Sequence, residues 1–136
     1  MRRGSSLLHK LVVVTLLALV AQALAVDLLV YGGHGHREFL GCLNCSDYSS
    51  DSVWNEYSRY GFLNDFGVWN PFGDYASPFS SYSMCNEYAT DPPVIVDKDG
   101  NFYGRLSINP YISGSVCGVG GVEELCTAIK TICKSK

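Results

Sequence analysis

The sequence predicts a small, disulfide-stabilised α+β domain that is loop-rich and leans towards β structure. It should contain short aromatic repeats, one β-hairpin and one C-terminal helix. Three observations predict this class: 136 residues suffice for one small domain, six cysteines form an even set, and Gly/Ser/Asn-rich stretches interrupt the aliphatic runs. Changes in composition divide the chain into residues 1–25, 26–45, 46–91 and 92–136.

Residues 1–25 have the pattern of a secretory signal peptide. Basic residues (Arg2, Arg3 and Lys10) precede the apolar stretch from Leu11 to Ala21, and small-x-small cleavage sites follow it. The apolar stretch is short for a membrane span. We therefore expect a secreted protein, extracellular or periplasmic, with no stable membrane span after cleavage.

Charge narrows the choice of partners. Three of the ten basic residues lie in the signal while all thirteen acidic residues follow it, so the mature chain has a net charge of −6. Phosphate binding needs a clustered basic surface, which makes nucleic acid an unsuitable partner. Cations, glycans or an envelope protein suit this chain better.

Residues 26–45 carry two histidines and two cysteines close together: His34, His36, Cys42 and Cys45. Two imidazoles and two thiolates could hold Zn²⁺ tetrahedrally. The cysteines could instead form a disulfide beside a flexible Gly-flanked segment, or a redox-active Cys-x-x-Cys pair, although a thioredoxin-like context is absent. No cofactor is otherwise expected.

Residues 46–91 contain three similar units. Each unit consists, in chain order, of an apolar residue, a Trp or Cys, an Asn, any residue and an aromatic residue. Successive Asn residues of the three units are 15 and 16 positions apart. A further apolar residue lies five positions before each unit. We expect each unit to be a turn-rich loop whose aromatic ring reaches a shared core and whose Asn side chain holds a turn. The units are Val53–Tyr57, Val68–Phe72 and Met84–Tyr88, preceded by Tyr48, Leu63 and Phe79.

The aromatic residues of this region could form a core or a platform for sugar rings. A chain poor in aliphatic residues needs aromatic side chains inside, so we assign Trp54 and Trp69 to the core. The candidate ligand platform is Tyr57, Tyr60 and Tyr75, with hydrogen bonds from Asn55 and Asn70.

Residues 92–136 begin with a hairpin. Val94 to Val96 and Phe102 to Ile108 flank Asp99-Gly100, a strong hairpin turn signal. The oxygens of Asp97, Asp99 and Asn101 could alternatively form a weak cation site for Ca²⁺, although the EF-hand order is missing.

Apolar positions at helical spacing predict a helix over residues 119–133. On it, Cys126 and Cys133 would be about 10 Å apart along the axis, too far to pair. Each should therefore bond to Cys117, Cys85 or the Cys42/Cys45 loop. The disulfide candidates are Cys42, Cys45, Cys85, Cys117, Cys126 and Cys133.

The motif Leu40-Gly41-Cys42-Leu43-Asn44-Cys45, the aromatic units and Asp99-Gly100-Asn101-Phe102-Tyr103-Gly104 resemble a group of small exported bacterial proteins. That group carries tandem Tyr/Ser/Trp-Asn repeats between the same two motifs and has no assigned activity. The resemblance covers residues 39–109 and implies a bacterial exported protein. The tail with Cys117, Cys126 and Cys133 lies outside the pattern.

These observations predict an exported, non-enzymatic binding or structural module acting at or near the cell surface. The alternative is a small zinc-binding protein that uses His34, His36, Cys42 and Cys45. The sequence contains no recognisable catalytic motif. Glu38, Glu56 and Glu87 would be the acids to test for a glycosidase, and an inhibitor or effector would share the same features.

Overall fold

The computed structural model describes residues 26–62, 64 and 67–134, so the predicted signal peptide and Leu63 lie outside the described residues. The fold is a four-stranded antiparallel sheet with one C-terminal helix. The strands are β1 (Leu29–Gly32), β2 (Glu38–Cys42), β3 (Val94–Val96) and β4 (Phe102–Arg105), in the order β2-β1-β3-β4. The helix α1 spans Glu123–Lys134. The predicted fold class is confirmed.

Strands β3 and β4 form the predicted hairpin. The second strand ends at Arg105 rather than continuing to Ile108. The Leu106 N–H still donates to Pro93 O, but Pro93 has no N–H to return a ladder bond, and the Ile108 N–H donates to Met84 O instead. The ladder is antiparallel, with Ile95 opposite Gly104.

A second hairpin, β1 with β2, was not predicted. Its connection is a 3₁₀ turn at His34–His36, where the sequence had predicted a flexible segment. The turn is fixed by the His36 N–H, which donates to Gly33 O (3.0 Å), and by the His36 ring, whose Nε2 lies 3.1 Å from Pro92 O. Alternating burial along β1 places Val30 in the core, where Leu40 of β2 is also buried.

The core lies between the sheet, the turns of residues 46–91 and α1. Each of the three aromatic units contributes its apolar residue, and the helix contributes Ile129. Aliphatic and sulfur-containing side chains thus fill much of the core, with Trp69 as its largest fully buried side chain. The main buried residues are Val30, Leu40, Val53, Val68, Trp69, Met84, Ile95, Leu106, Val116 and Ile129.

Helix α1 begins four residues later than predicted. A glycine pair precedes it, and a Cβ on Gly121 would lie 2.3 Å from Val116 O. The Gly121 N–H also closes a turn with Gly118 O. This close approach of two backbone segments holds residues 118–121 in turns, so the helix begins at Glu123.

Three disulfides join the six cysteines: Cys42–Cys45, Cys85–Cys133 and Cys117–Cys126. The prediction that Cys126 and Cys133 bond elsewhere is confirmed. Two of the bonds tie α1 to the turns, one at each end of the helix. Three disulfides are typical of proteins that fold in an oxidising compartment. Among the described residues, none of the helices has the length and hydropathy required to cross a bilayer.

Candidate functional site

Between residues 46 and 73, hydrogen bonds between described residues close a series of three-residue turns. The N–H of every third residue donates to the carbonyl oxygen three positions earlier, at 2.8–3.3 Å, from Ser49 through Gly73. All ten residues at these first positions are Ser, Asn or Gly, and the aromatic residues always occupy the second or third position. We did not predict this three-residue period, although the spacing of Ser, Asn and Gly in the sequence contains it.

At several first positions the side chain makes two hydrogen bonds that fix the turn. Asn55 Oδ1 accepts from the Tyr57 N–H (3.0 Å), and Asn55 Nδ2 donates to Ser49 O (3.0 Å) six residues earlier. Ser58 does the same with one hydroxyl, which accepts from the Tyr60 N–H and donates to Ser52 O. Asn70 and Asn86 repeat the Asn55 pattern. The predicted role of the Asn side chains in holding a turn is therefore confirmed.

Two of the first-position glycines lie where no side chain fits. A Cβ on Gly61 would lie 2.0 Å from Asn55 O, and one on Gly67 would lie 2.3 Å from Gly61 O. In both cases the carbonyl is again six residues earlier. At Asn55, Ser58 and Asn70 the first-position side chain thus donates to that carbonyl, and at Gly61 and Gly67 the first position leaves room for it.

The unequal spacing of the Asn residues has a local cause. Five three-residue steps separate Asn55 from Asn70, but between Gly73 and Ser77 the step is four residues, because the Ser77 N–H donates to Gly73 O. Four three-residue steps and one four-residue step give the spacing of 16 between Asn70 and Asn86.

The turns sort side chains into a buried set and an exposed set. The apolar residue of each unit is buried, as is Trp69, whose Nε1–H donates to Val53 O (2.9 Å). The aromatic rings at the ends of the units point to solvent, so the prediction that they reach the core is wrong. Six rings at third positions are 83–95% exposed: Tyr48, Tyr57, Phe72, Phe79, Tyr88 and Tyr111.

The three predicted platform residues lie in different environments. Tyr57 is exposed, Tyr60 is half-buried and packs edge-on against Phe39, and Tyr75 is buried. Burial and a hydrogen bond from its hydroxyl to Glu38 raise the pKa of Tyr75 well above its usual range. Tyr75 therefore belongs to the core, because its hydroxyl has a partner inside the fold.

Two of these exposed rings, Tyr48 and Tyr57, border a groove at the start of the turn series. Trp54, expected in the core, is 41% exposed and forms one wall. Its other contacts fix its position: Nε1–H donates to Leu43 O (2.7 Å), and the ring stacks on Trp69 with centroids 5.0 Å apart. We call this site the aromatic groove. It has a volume of about 260 Å³ and is lined by Asp47, Tyr48, Trp54, Asn55, Glu56 and Tyr57.

The four predicted zinc ligands are not brought together. Cys42 and Cys45 are bonded to each other, so neither sulfur is a thiolate. In the part of the chain that the structure describes, one group of three residues has potential metal-ligand atoms within 4.8 Å of one another: Asp27, Cys42 and Cys45. Neither His34 nor His36 belongs to this group. The geometry favours the disulfide over zinc.

The candidate cation site at the hairpin is organised as a turn. Asp97 Oδ1 accepts from the N–H groups of Asp99 and Asn101 (both 2.9 Å), and Oδ2 accepts from Asn101 Nδ2 (2.8 Å) and the Tyr103 hydroxyl (3.0 Å). These donors, the Asn101 amide first, lower the pKa of Asp97. The carboxylate caps its own turn, as the hairpin interpretation predicts, and Asn101 faces it with a donor rather than a ligand oxygen.

The glutamates considered for glycosidase chemistry occupy separate settings. Glu38, at the start of β2, accepts the Tyr75 hydroxyl, whereas Glu56 and Glu87 follow Asn55 and Asn86 at equivalent second positions of two turns. The comparisons likewise give no positive indication of catalytic activity.

Fold and site together define a small, disulfide-stabilised α+β protein with aromatic rings displayed on a series of hydrogen-bonded turns. No protein-family model, curated protein or solved structure matches the chain.

Proposed function

We propose that this chain is an exported, non-enzymatic binding module that acts at or near the cell surface and takes a glycan in the aromatic groove. The observation that carries the proposal is the outward display of six aromatic rings on a backbone whose turns are fixed by side-chain hydrogen bonds.

The exposure of these rings favours binding over a purely structural role. Burying an aromatic side chain stabilises a fold by about 1.5–3 kcal/mol, and these rings forgo that gain. Their backbone is already ordered, since each ring-bearing N–H donates to the Ser or Asn two residues before it. A ligand that covers such rings does not have to order the turns that carry them.

The chemistry of the groove suits a sugar ring. A pyranose has apolar C–H faces and polar hydroxyl edges, and it therefore matches flat aromatic walls flanked by a few polar groups. The groove supplies the rings of Tyr48, Trp54 and Tyr57 next to the carboxylates of Asp47 and Glu56. Its volume of about 260 Å³ lies at the lower end for small-molecule sites, which favours one sugar unit at a time.

Two independent features support export. The amino-terminal segment has the signal-peptide pattern, and three disulfides are typical of proteins that fold in an oxidising compartment. The resemblance to small exported bacterial proteins agrees with both.

The proposal is tested by titrating the purified, oxidised protein with neutral, acidic and amino-sugar oligosaccharides and following tryptophan fluorescence and heat. We expect Tyr57→Ala to weaken binding about tenfold or more, since exposed aromatic anchors dominate such contacts. The control is Tyr111→Ala, which removes an equally exposed ring from a turn outside the groove. Absence of binding to every oligosaccharide, or steady turnover of one, would contradict the proposal.

A further inference from the structure

We propose that the aromatic groove selects a sugar that carries an ammonium group, as in oligomers of glucosamine, over a neutral sugar. This inference rests on the proposed function and adds to it the charge of the ligand.

The walls of the groove can pack against both an apolar ring face and a cation. Trp54 is held by its bond to Leu43 O and its stacking on Trp69, so its exposed part is fixed in position. The rings of Tyr48 and Tyr57 are almost fully exposed. Aromatic faces attract an organic ammonium by cation–π interaction, most strongly when the ring is Trp or Tyr.

Charge complementarity identifies the occupant. The residues lining the groove include two carboxylates and no basic side chain. Among the described residues, neither Asp47 nor Glu56 has a hydrogen-bond or ion-pair partner, whereas other carboxylates, such as Asp97 and Glu38, are bound within the fold. Two unpaired carboxylates beside aromatic walls favour a positively charged ligand, whereas a neutral sugar gains only stacking and hydrogen bonds there.

The chain around the groove is also negatively charged. From Ser46 to Asp97 the sequence holds eight carboxylates and a single basic residue, Arg59. A polymer of cationic sugars would therefore meet an acidic surface beyond the groove itself, which would also speed its association at low salt.

The experiment compares the hexamer of glucosamine with the hexamer of N-acetylglucosamine by calorimetry on the oxidised full-length mature chain at low and physiological salt. We expect the glucosamine hexamer to bind at least about tenfold more tightly, since each exposed ion pair contributes up to about fivefold. Asp47→Asn with Glu56→Gln should remove most of this preference, because it should weaken binding of the glucosamine hexamer far more than binding of the N-acetylated hexamer.

A matched control is Asp74→Asn with Glu87→Gln, which removes the same charge from exposed carboxylates outside the groove. If this control lost the preference for the glucosamine hexamer to the same extent, the inference would be overturned, because the preference would then reflect only the net charge of the protein. Circular dichroism and unchanged unfolding midpoints verify that each variant folds.

Equal binding of both hexamers, abolished by Tyr57→Ala, would overturn the ammonium inference and leave the proposed function standing. Tighter binding of tetramethylammonium than of the glucosamine hexamer would overturn it as well, because the site would then recognise a cation without its sugar. Failure of both hexamers, together with failure of every other oligosaccharide, would overturn the proposed function itself.

Discussion

The first-position residue fixes several of the turns in residues 46–73. A residue such as Asn55 or Ser58 accepts the N–H two residues ahead and donates to a carbonyl six residues behind, whereas Gly61 and Gly67 make room for that carbonyl. Ser and Asn carry both an acceptor and a donor, and Gly makes room by having no side chain. Asp can only accept when ionised, so this arrangement excludes it from the first position.

Substitutions of Asn86 test these two hydrogen bonds outside the aromatic groove. Asn86→Ser should change the free energy of unfolding by less than about 1 kcal/mol, since Ser58 makes both bonds with its hydroxyl. Asn86→Asp should cost about 2 kcal/mol, because a carboxylate would replace the amide donor that faces Ser80 O. Urea unfolding midpoints measure the difference, and equal costs for Ser and Asp would refute the donor requirement.

Asp97 makes the hairpin sensitive to acid. Its pKa is lowered in the folded chain by the Asn101 amide and the other donors, so the carboxylate stabilises the fold above its ordinary pKa near 3.8. This contribution is lost as the pH falls from there through the lower folded value. We expect Asp97→Asn to reduce stability at pH 7 and to flatten the dependence of the unfolding midpoint on pH below about 4. An unchanged acid dependence in the variant would contradict this assignment.

The elements differ in how far local sequence determines them. The β3–β4 hairpin could be predicted because Asp99-Gly100 specifies its turn locally. The β1–β2 hairpin could not, since its connection relies on a left-handed His36 and on the ring contact with Pro92, 56 residues away in the chain. The start of α1 was misplaced for a similar reason: Gly121 is held by Val116 O, a contact that helical periodicity does not reveal.

The series of turns behaves as an element in its own right, and two of its glycines provide a matched test. Gly61→Ala should destabilise the protein by about 2–3 kcal/mol, because its Cβ would overlap Asn55 O. Gly73→Ala should be neutral or stabilise by up to about 1 kcal/mol, since its Cβ would meet nothing closer than 3.5 Å and the unfolded chain would lose entropy. Equal effects in chemical denaturation would argue against close packing of successive turns.

On the scale of the whole molecule, the disulfides hold together parts that share little apolar contact. Helix α1 buries only Ile129 completely, yet Cys126 and Cys133 anchor it to two separate turns. Helical spacing was sufficient to exclude a Cys126–Cys133 bond, but the choice of Cys85 and Cys117 as partners depends on where the turns lie. The candidate groove was also only partly predictable. Tyr57 was predicted as a ligand-platform residue, but the places of Tyr48 and of the exposed part of Trp54 depend on how the turns are arranged in space.

Removing individual disulfides should have graded effects. The Cys85–Cys133 bond spans 48 residues, and its replacement by two alanines should cost about 4 kcal/mol through the entropy of the unfolded chain. The Cys42–Cys45 bond spans three, and its loss should cost about 2 kcal/mol. Denaturant unfolding of the two variants, with the far-ultraviolet helix signal as a second readout, shows which variant loses more stability. A larger loss for the Cys42–Cys45 variant would refute this prediction.

The four-residue step between Gly73 and Ser77 bears on how such a chain can change in length over generations. Because each turn is closed by partners within six residues, an in-frame gain or loss of whole turns leaves neighbouring turns able to form their own bonds. One irregular step is already tolerated where this series passes into the turns that lead to Asn86. We therefore expect natural variants to differ in turn number, gaining or losing display positions for aromatic rings while the sheet and its disulfides stay the same.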